Sequence, residues 1–210
     1  MADVPQVARR PDDDPGFPPL SCDLATSLAA VPRSARWVLP TFAAAFHGAD
    51  VSTLEPKLRT LALLRVASVD RAPYWREQHE TGAAAVGVTG DELALVTSDE
   101  WETAPAFTDR ERAAILWADR VARRLARRDA AAYRTAREHL TDRELVELTA
   151  IVSLACMANR LTNALRISPE PPTGLTPGGP AIDGALARWS LEMFERLPVG
   201  AVGGTGAIDG

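Results

Sequence analysis

Cysteine is the scarcest chemical resource of this chain. Only Cys22 and Cys156 occur in 210 residues, far apart and in different contexts. They offer no disulfide framework, and a reducing cytoplasm is the expected compartment. Histidine is almost as rare, and positions 47, 79 and 139 have no mutual spacing that would build a metal site. Aromatics make up 6% of the chain, while alanine, leucine and arginine dominate, which favours helices over strands. Positive charge is not in excess. The formal net charge is −5, so nucleic acid is not expected as a partner, because phosphate binding draws on a basic surface. No apolar run approaches the ~20 residues that a bilayer requires. The acidic, proline-rich start has no charged-then-apolar signal pattern either. A soluble intracellular protein without a membrane partner is therefore expected. Glycine-rich phosphate loops, nucleophile elbows and dinucleotide fingerprints are also missing, and no cofactor is expected.

Proline and glycine are present, but gathered at the two ends. Residues 1–33 form an N-terminal arm carrying Pro5, Pro11, Pro15, Pro18, Pro19 and the run Asp12-Asp13-Asp14, a composition that cannot form a core alone. Residues 168–210 hold a proline- and glycine-rich linker, then a helical pattern from Ile182 to Leu197, then a glycine-rich tail. Leu186, Trp189, Met193 and Leu197 share one stripe of that helix, which needs a surface on its own domain or on a neighbouring subunit. Residues 34–167 read as consecutive helices with no strand-like alternation. The expected spans are about 34–47, 54–69, 73–86, 90–97, 109–127, 129–139 and 142–166. Four start signals share one form, Ser or Thr followed three residues later by Glu: Ser52/Glu55, Thr89/Glu92, Thr108/Glu111 and Thr141/Glu144. Helix 54–69 is apolar on most of its circumference, which implies central burial or an interface. Gly87 is read as a helix C-terminal residue.

One stretch concentrates the residues able to do chemistry: Ala72-Pro-Tyr-Trp-Arg-Glu-Gln-His79. On a helix, His79 shares a face with Trp75, Gly82, Ala83 and Val86. Its imidazole titrates near neutral pH and can give or take a proton, although a core histidine bound to a backbone carbonyl would leave the same pattern. Tyr74 is either a phenol aimed at a developing oxyanion or an amphipathic anchor at a helix start. Glu77, two residues from His79, points elsewhere on the helix, to solvent or toward Arg65 or a neighbouring subunit. Arg120, Arg123, Arg124, Arg127 and Arg128 form a stripe at helical spacing, read chiefly as a solvated face paired with acids. Asn159-Arg160 ends an apolar stripe of Leu145, Leu148, Val152 and Cys156. If buried, Asn159 must find partners, as a cap or on a pocket floor.

The order of these pieces resembles the carboxymuconolactone decarboxylase and alkylhydroperoxidase D-like family. The resemblance runs from about Ser34 to Ile167. It rests on Glu55-Pro-Lys-Leu-Arg59, Arg65-Val-Ala67, Ala72-Pro-Tyr-Trp75 with His79, Gly87 with Glu92, Thr108-Asp-Arg-Glu-Arg-Ala-Ala-Ile-Leu116 with Asp119, Leu145-Val-Glu-Leu148 and Asn159-Arg160. It implies an all-α, alkylhydroperoxidase D-like helical bundle that forms homo-oligomers (dimer, trimer or hexamer) and keeps its pocket around the motif histidine. In the peroxidase branch two cysteines precede that histidine. Here those places hold Ala72 and Trp75, and the place of the family's glutamate lies near Thr60. Dithiol peroxide reduction needs both thiols, so it is not expected.

The resemblance, with the thiols gone, implies a cofactor-free enzyme moving protons on a small organic acid, lactone or aromatic metabolite, by decarboxylation, lactone opening or isomerisation. His79 and Tyr74 would be catalytic, and Trp75, Arg65, Glu77 and Asn159 would bind substrate. Two other readings stand beside it. One is a non-catalytic binding or assembly protein in which Trp75 fills the old site. The other is a residual peroxidase activity through Cys156.

Overall fold

Prolines at 56 and 73 sit in first helical turns, where the missing N–H removes nothing the helix would have used. They open α1 (Pro56–Val69) and α2 (Pro73–Ala83). A short 3₁₀ turn, Ala84–Val86, extends α2 to Gly87, which takes the left-handed conformation at φ 85° and stops the helix. Then follow α3 (Gly90–Thr97), α4 (Asp109–Ala122), α5 (Ala130–His139) and α6 (Asp142–Ala164). This computed structural model describes residues 52–167 together with Val38, Thr41 and Phe42, and no strand occurs among them. The proposed arm and the C-terminal linker, helix and tail lie outside the described residues.

Three of the four expected capping boxes form. Thr89, Thr108 and Thr141 each accept from the backbone N–H three residues on, and Glu92, Glu111 and Glu144 reach back to the cap. Lys57 adds a second use for two of these glutamates, binding Glu92 at 2.7 Å and Glu111 at 2.9 Å, so α1 pins the starts of both α3 and α4. The fourth box does not form. Ser52 donates instead to Glu147 of α6 at 2.5 Å, the Thr53 N–H donates to the other oxygen of Glu147 at 2.8 Å, and α1 begins after Glu55 with no side-chain cap. A distant carboxylate has taken the hydroxyl that a local pattern assigned to the helix.

The C-terminal ends explain a second difference. Helix 109–127 stops at Ala122, because Arg124 turns left-handed at φ 63° and the N–H groups of Arg124 and Leu125 bond back to Val121 and Arg120. Arg71 and Arg166 close α1 and α6 in the same way, at φ 50° and 52°. These stops are usually marked by glycine, and arginine carries no such mark. The five arginines are therefore not one helical stripe: Arg120 and Arg123 bind Asp119, and the later ones lie beyond the helix.

Helix α1 is the axis of the bundle and packs on α2, α3, α4 and α6. Leu58, Ala62 and Val66 face one core with Tyr74 and Trp75 of α2, Ala114 and Trp117 of α4, and Leu148, Val152 and Ala155 of α6. Leu61 and Leu64 face a second core with Val96, Trp101, Phe107 and Ile115. Serving both sides is why α1 is apolar almost all round. Helix α6 has the length and apolar composition of a membrane span, contrary to the expectation that no run would reach it. Its stripe of Leu145, Leu148, Val152, Cys156 and Asn159 is nevertheless buried in this bundle.

Candidate functional site

The motif helix α2 buries Tyr74, Trp75 and His79 on one side, as the i, i+4 relation of Trp75 and His79 requires. The imidazole stacks on the indole, with centroids 5.9 Å apart and planes 29° apart. Tyr74 meets Trp75 edge-on at 5.4 Å, and Phe42, from the helical turn that precedes α1, does so at 6.1 Å. Trp75 is 1% exposed and Tyr74 2%, so both are core aromatics; His79 keeps 9%. Each edge-to-face pair adds about 0.5–1.5 kcal/mol to the area it buries. The aromatic cluster thus fixes the plane of the imidazole.

Burial, and to a lesser degree the positive charge of Arg59, lowers the His79 pKa from its ordinary value to about 3. The ring is neutral throughout the physiological range. A neutral imidazole can donate one hydrogen bond and accept another, but burial makes it resist becoming imidazolium.

Arg59 is a largely buried charged residue that sequence reasoning passed over. It lies on α1, is 8% exposed, and its side chain makes no hydrogen bond or ion pair among the described residues. Burial lowers its pKa, and the field of Glu147 opposes that shift. The oxygens of Glu147 already accept from Ser52 and from both Thr53 donors, so it is felt by Arg59 without being bound to it. The signal was present in part: Arg59 and Arg65 interrupt an otherwise apolar helix, and both needed partners. Which of them had one could not be read from the helix itself.

Arg65, expected to bind substrate, has an acid partner within the protein. Its Nε and Nη2 each lie 2.8 Å from Oδ1 of Asp119 on α4, its Nη1 donates to the Ser98 carbonyl at 2.7 Å, and its plane lies 5.2 Å from the Trp101 centroid. The guanidinium closes the second core and faces away from the aromatic cluster of α2. Burial alone would raise the Asp119 pKa, but hydrogen bonds from Arg123 and Arg65 outweigh it and hold the carboxyl below the usual carboxylate range.

Asn159 is likewise structural. Its amide donates to Oδ2 of Asp70 at 3.0 Å, and Asn163 donates to the Asp70 carbonyl at 3.1 Å, so α6 pins the turn that launches α2. This bond ties α6 to the turn before the motif helix. Glu77 is half-buried on a different side of α2 from His79, as its spacing required. Among the described residues, no group of three or more His, Cys, Asp or Glu is arranged to hold a metal.

Cys156 is buried on α6, and burial together with the nearby Asp70 carboxylate pushes its thiol up from 9.0 to about 11. Two pH units lower its thiolate fraction about 100-fold at neutral pH. Iodoacetamide is expected to label native Cys156 about 100-fold more slowly than the unfolded thiol, and alkylation is expected to leave any peroxide consumption unchanged. Fast labelling, or peroxide turnover lost on labelling, would restore the redox reading.

Residues 32–120 match the carboxymuconolactone decarboxylase family. No curated protein sequence matches the chain. Among solved structures, one similar fold is an Agrobacterium tumefaciens protein of unknown function whose name ties it to the antioxidant defence protein AhpD. It is 22% identical over 69% of this chain and 95% of its own, with a TM-score of 0.61. A second is the debrominase Bmp8, as a cysteine-to-alanine variant in complex with 2,3,4-tribromopyrrole: 17% identical over 82% of each chain, TM-score 0.59. Its apo form gives 15% and 0.60, covering 82% of this chain and 83% of its own. At these identities the likeness is one of fold, the all-helical AhpD-like bundle.

Proposed function

We propose that this chain, whose residues 32–120 match the carboxymuconolactone decarboxylase family, is a cofactor-free enzyme moving a proton on a small organic acid or aromatic metabolite at His79. The observation that carries this reading is the buried imidazole of His79, stacked on Trp75 with centroids 5.9 Å apart and kept neutral by burial. Isomerisation is the simplest case. The imidazole accepts a proton from one substrate carbon and returns it to another, so the proton count closes without an external acid, and the negative charge of an organic acid substrate offsets the burial that otherwise keeps the ring neutral. Decarboxylation and lactone opening use the same group to move a proton as charge develops. Trp75 offers a flat apolar wall. That the fold also serves a debrominase holding a halogenated pyrrole supports a site of this kind for a small ring.

Incubation in D2O with a panel of unsaturated acids and lactones, followed by proton NMR, tests the reading. Exchange or conversion of at least one compound is expected, and His79→Gln is expected to abolish it while the helical circular dichroism is kept. Full activity in His79→Gln would sink the proposal.

One observation favours a second reading. Trp75 is as buried as any core residue and is packed by both Tyr74 and Phe42, as a plug would be. On that reading the chain is a non-catalytic binding or assembly protein, and His79→Gln changes its stability and nothing else.

A further inference from the structure

Helix α6 has the apolar composition of a membrane span, yet only half of its most apolar stretch is buried. Leu145, Leu148, Val152 and Ala155 point into the bundle. The opposite face carries Val146, Ala150, Ser153, Met157, Leu161 and Ala164, spaced three or four residues apart and so aligned along one side. Val146 is 70% exposed, the most among the large apolar residues described. Ala150, Ser153 and Ala164 are exposed too, and Met157 and Leu161 are half-buried. Between Val146 and Ala164 the one charge on that face is Arg160, near its C-terminal end. At the other end the apolar surface continues onto Tyr133, which is 44% exposed. Trp117 joins the two, meeting the Tyr133 ring at 5.6 Å and donating to Thr149 at 2.8 Å. A helix normally turns such a face to a core, not to water.

We propose that this face of α6 is the docking surface for residues 182–197 of the same chain. That segment lies outside the described residues, but its sequence has the complementary need. Leu186, Trp189, Met193 and Leu197 recur at helical spacing and require a surface to cover. Position and length agree with this occupant. The chain leaves the described fold at Ile167, which is buried and whose N–H donates to the Thr162 carbonyl at the C-terminal end of α6. Residues 168–181 span up to roughly 45 Å when stretched, ample to start the segment beside Ala164 and send it back along α6. As a helix the segment is about 24 Å long, against about 27 Å from Val146 to Ala164. Antiparallel docking sets Met193 near Ser153 and brings Asp183 in at the end that holds Arg160. A segment tethered this closely reaches an effective concentration in roughly the millimolar range, so at micromolar protein it outcompetes a second copy.

Hydrogen exchange of the full chain, read by mass spectrometry, tests this. Amides of residues 182–197 are expected to exchange at least about 10-fold more slowly than in a random chain. Val146→Asp combined with Ala150→Asp, both at exposed positions, is expected to restore fast exchange in that segment. Trp189→Ser is expected to do the same from the other side, while residues 52–167 keep their protection. A segment that is helical on its own account would not respond to the α6 substitutions. In a Cys22→Ser background, Ser153→Cys with Met193→Cys is expected to form a disulfide within one chain at micromolar protein. Unprotected amides at 182–197 in the native chain, or protection unchanged in either the α6 variant or Trp189→Ser, would overturn the proposal. A disulfide joining two chains would overturn it in favour of a second copy. Sedimentation of the native chain with phosphatidylcholine vesicles would overturn it in favour of a bilayer.

Discussion

Asp119→Ala lowers the stability of this protein by about 3–5 kcal/mol, a large fraction of the roughly 5–15 kcal/mol that holds a typical domain folded. The substitution removes only a small side chain, so packing loss is the lesser part. The main cost is the charge left behind. Arg65 is 3% exposed, two of its nitrogens lie 2.8 Å from the Asp119 carboxylate, and no water can replace that carboxylate without opening the core around Trp101. The measurement is a urea unfolding midpoint with the m-value checked for constancy. Replacing both partners, Arg65→Met with Asp119→Leu, is expected to recover most of the loss, because apolar groups of similar size incur no desolvation of charge. A fall below about 1 kcal/mol in the single variant would mean that the exposed Asp99, 3.7 Å from Arg65, or solvent takes over the charge, and that the second core is not closed by Asp119.

Acid is expected to act on the other core. The His79 pKa is about 3 in the folded protein, against an ordinary value of 6.5 that the unfolded chain recovers. Between those values the unfolded chain binds a proton that the native ring refuses. The native state is therefore at full stability above pH 6.5 and loses it as the pH falls toward 3, at about 1.4 kcal/mol per pH unit. Between pH 6.5 and 5, where carboxylates scarcely titrate, the loss amounts to about 2 kcal/mol. His79→Gln should flatten this slope while leaving stability above pH 7 comparatively little changed. An unaltered slope in the variant would place the acid sensitivity elsewhere and would mean that His79 titrates near its ordinary value.

The parts of the fold that were legible were those written within one helical turn. Thr89, Thr108 and Thr141 mark helix starts because the hydroxyl, the backbone donor and the returning glutamate lie within three residues of one another. Gly87 marks a stop because a left-handed residue without a side chain is a local solution. The stop at Arg124 was illegible for the complementary reason: arginine prefers helix, and only the surrounding contacts hold it left-handed. Ser52 shows the same limit at a helix start, where Glu147, 95 residues away, outcompetes the local box.

The candidate site divides along the same line. Tyr74, Trp75 and His79 share one side of α2 by helical arithmetic, and spacing alone was enough to group them. The roles of Arg59, Arg65 and Asn159 could not be grouped that way. Arg65 finds Asp119 across 54 residues and Asn159 finds Asp70 across 89, while Arg59, on the same helix as Arg65, finds no acid of its own among the described residues. Periodicity and capping depend on neighbours along the chain, so residue order alone dictates the helices, their apolar faces and the motif cluster. Whether a buried charge is satisfied depends on which helix is packed beside it. Only the assembled bundle could separate an arginine that finds an acid across the core from one that does not.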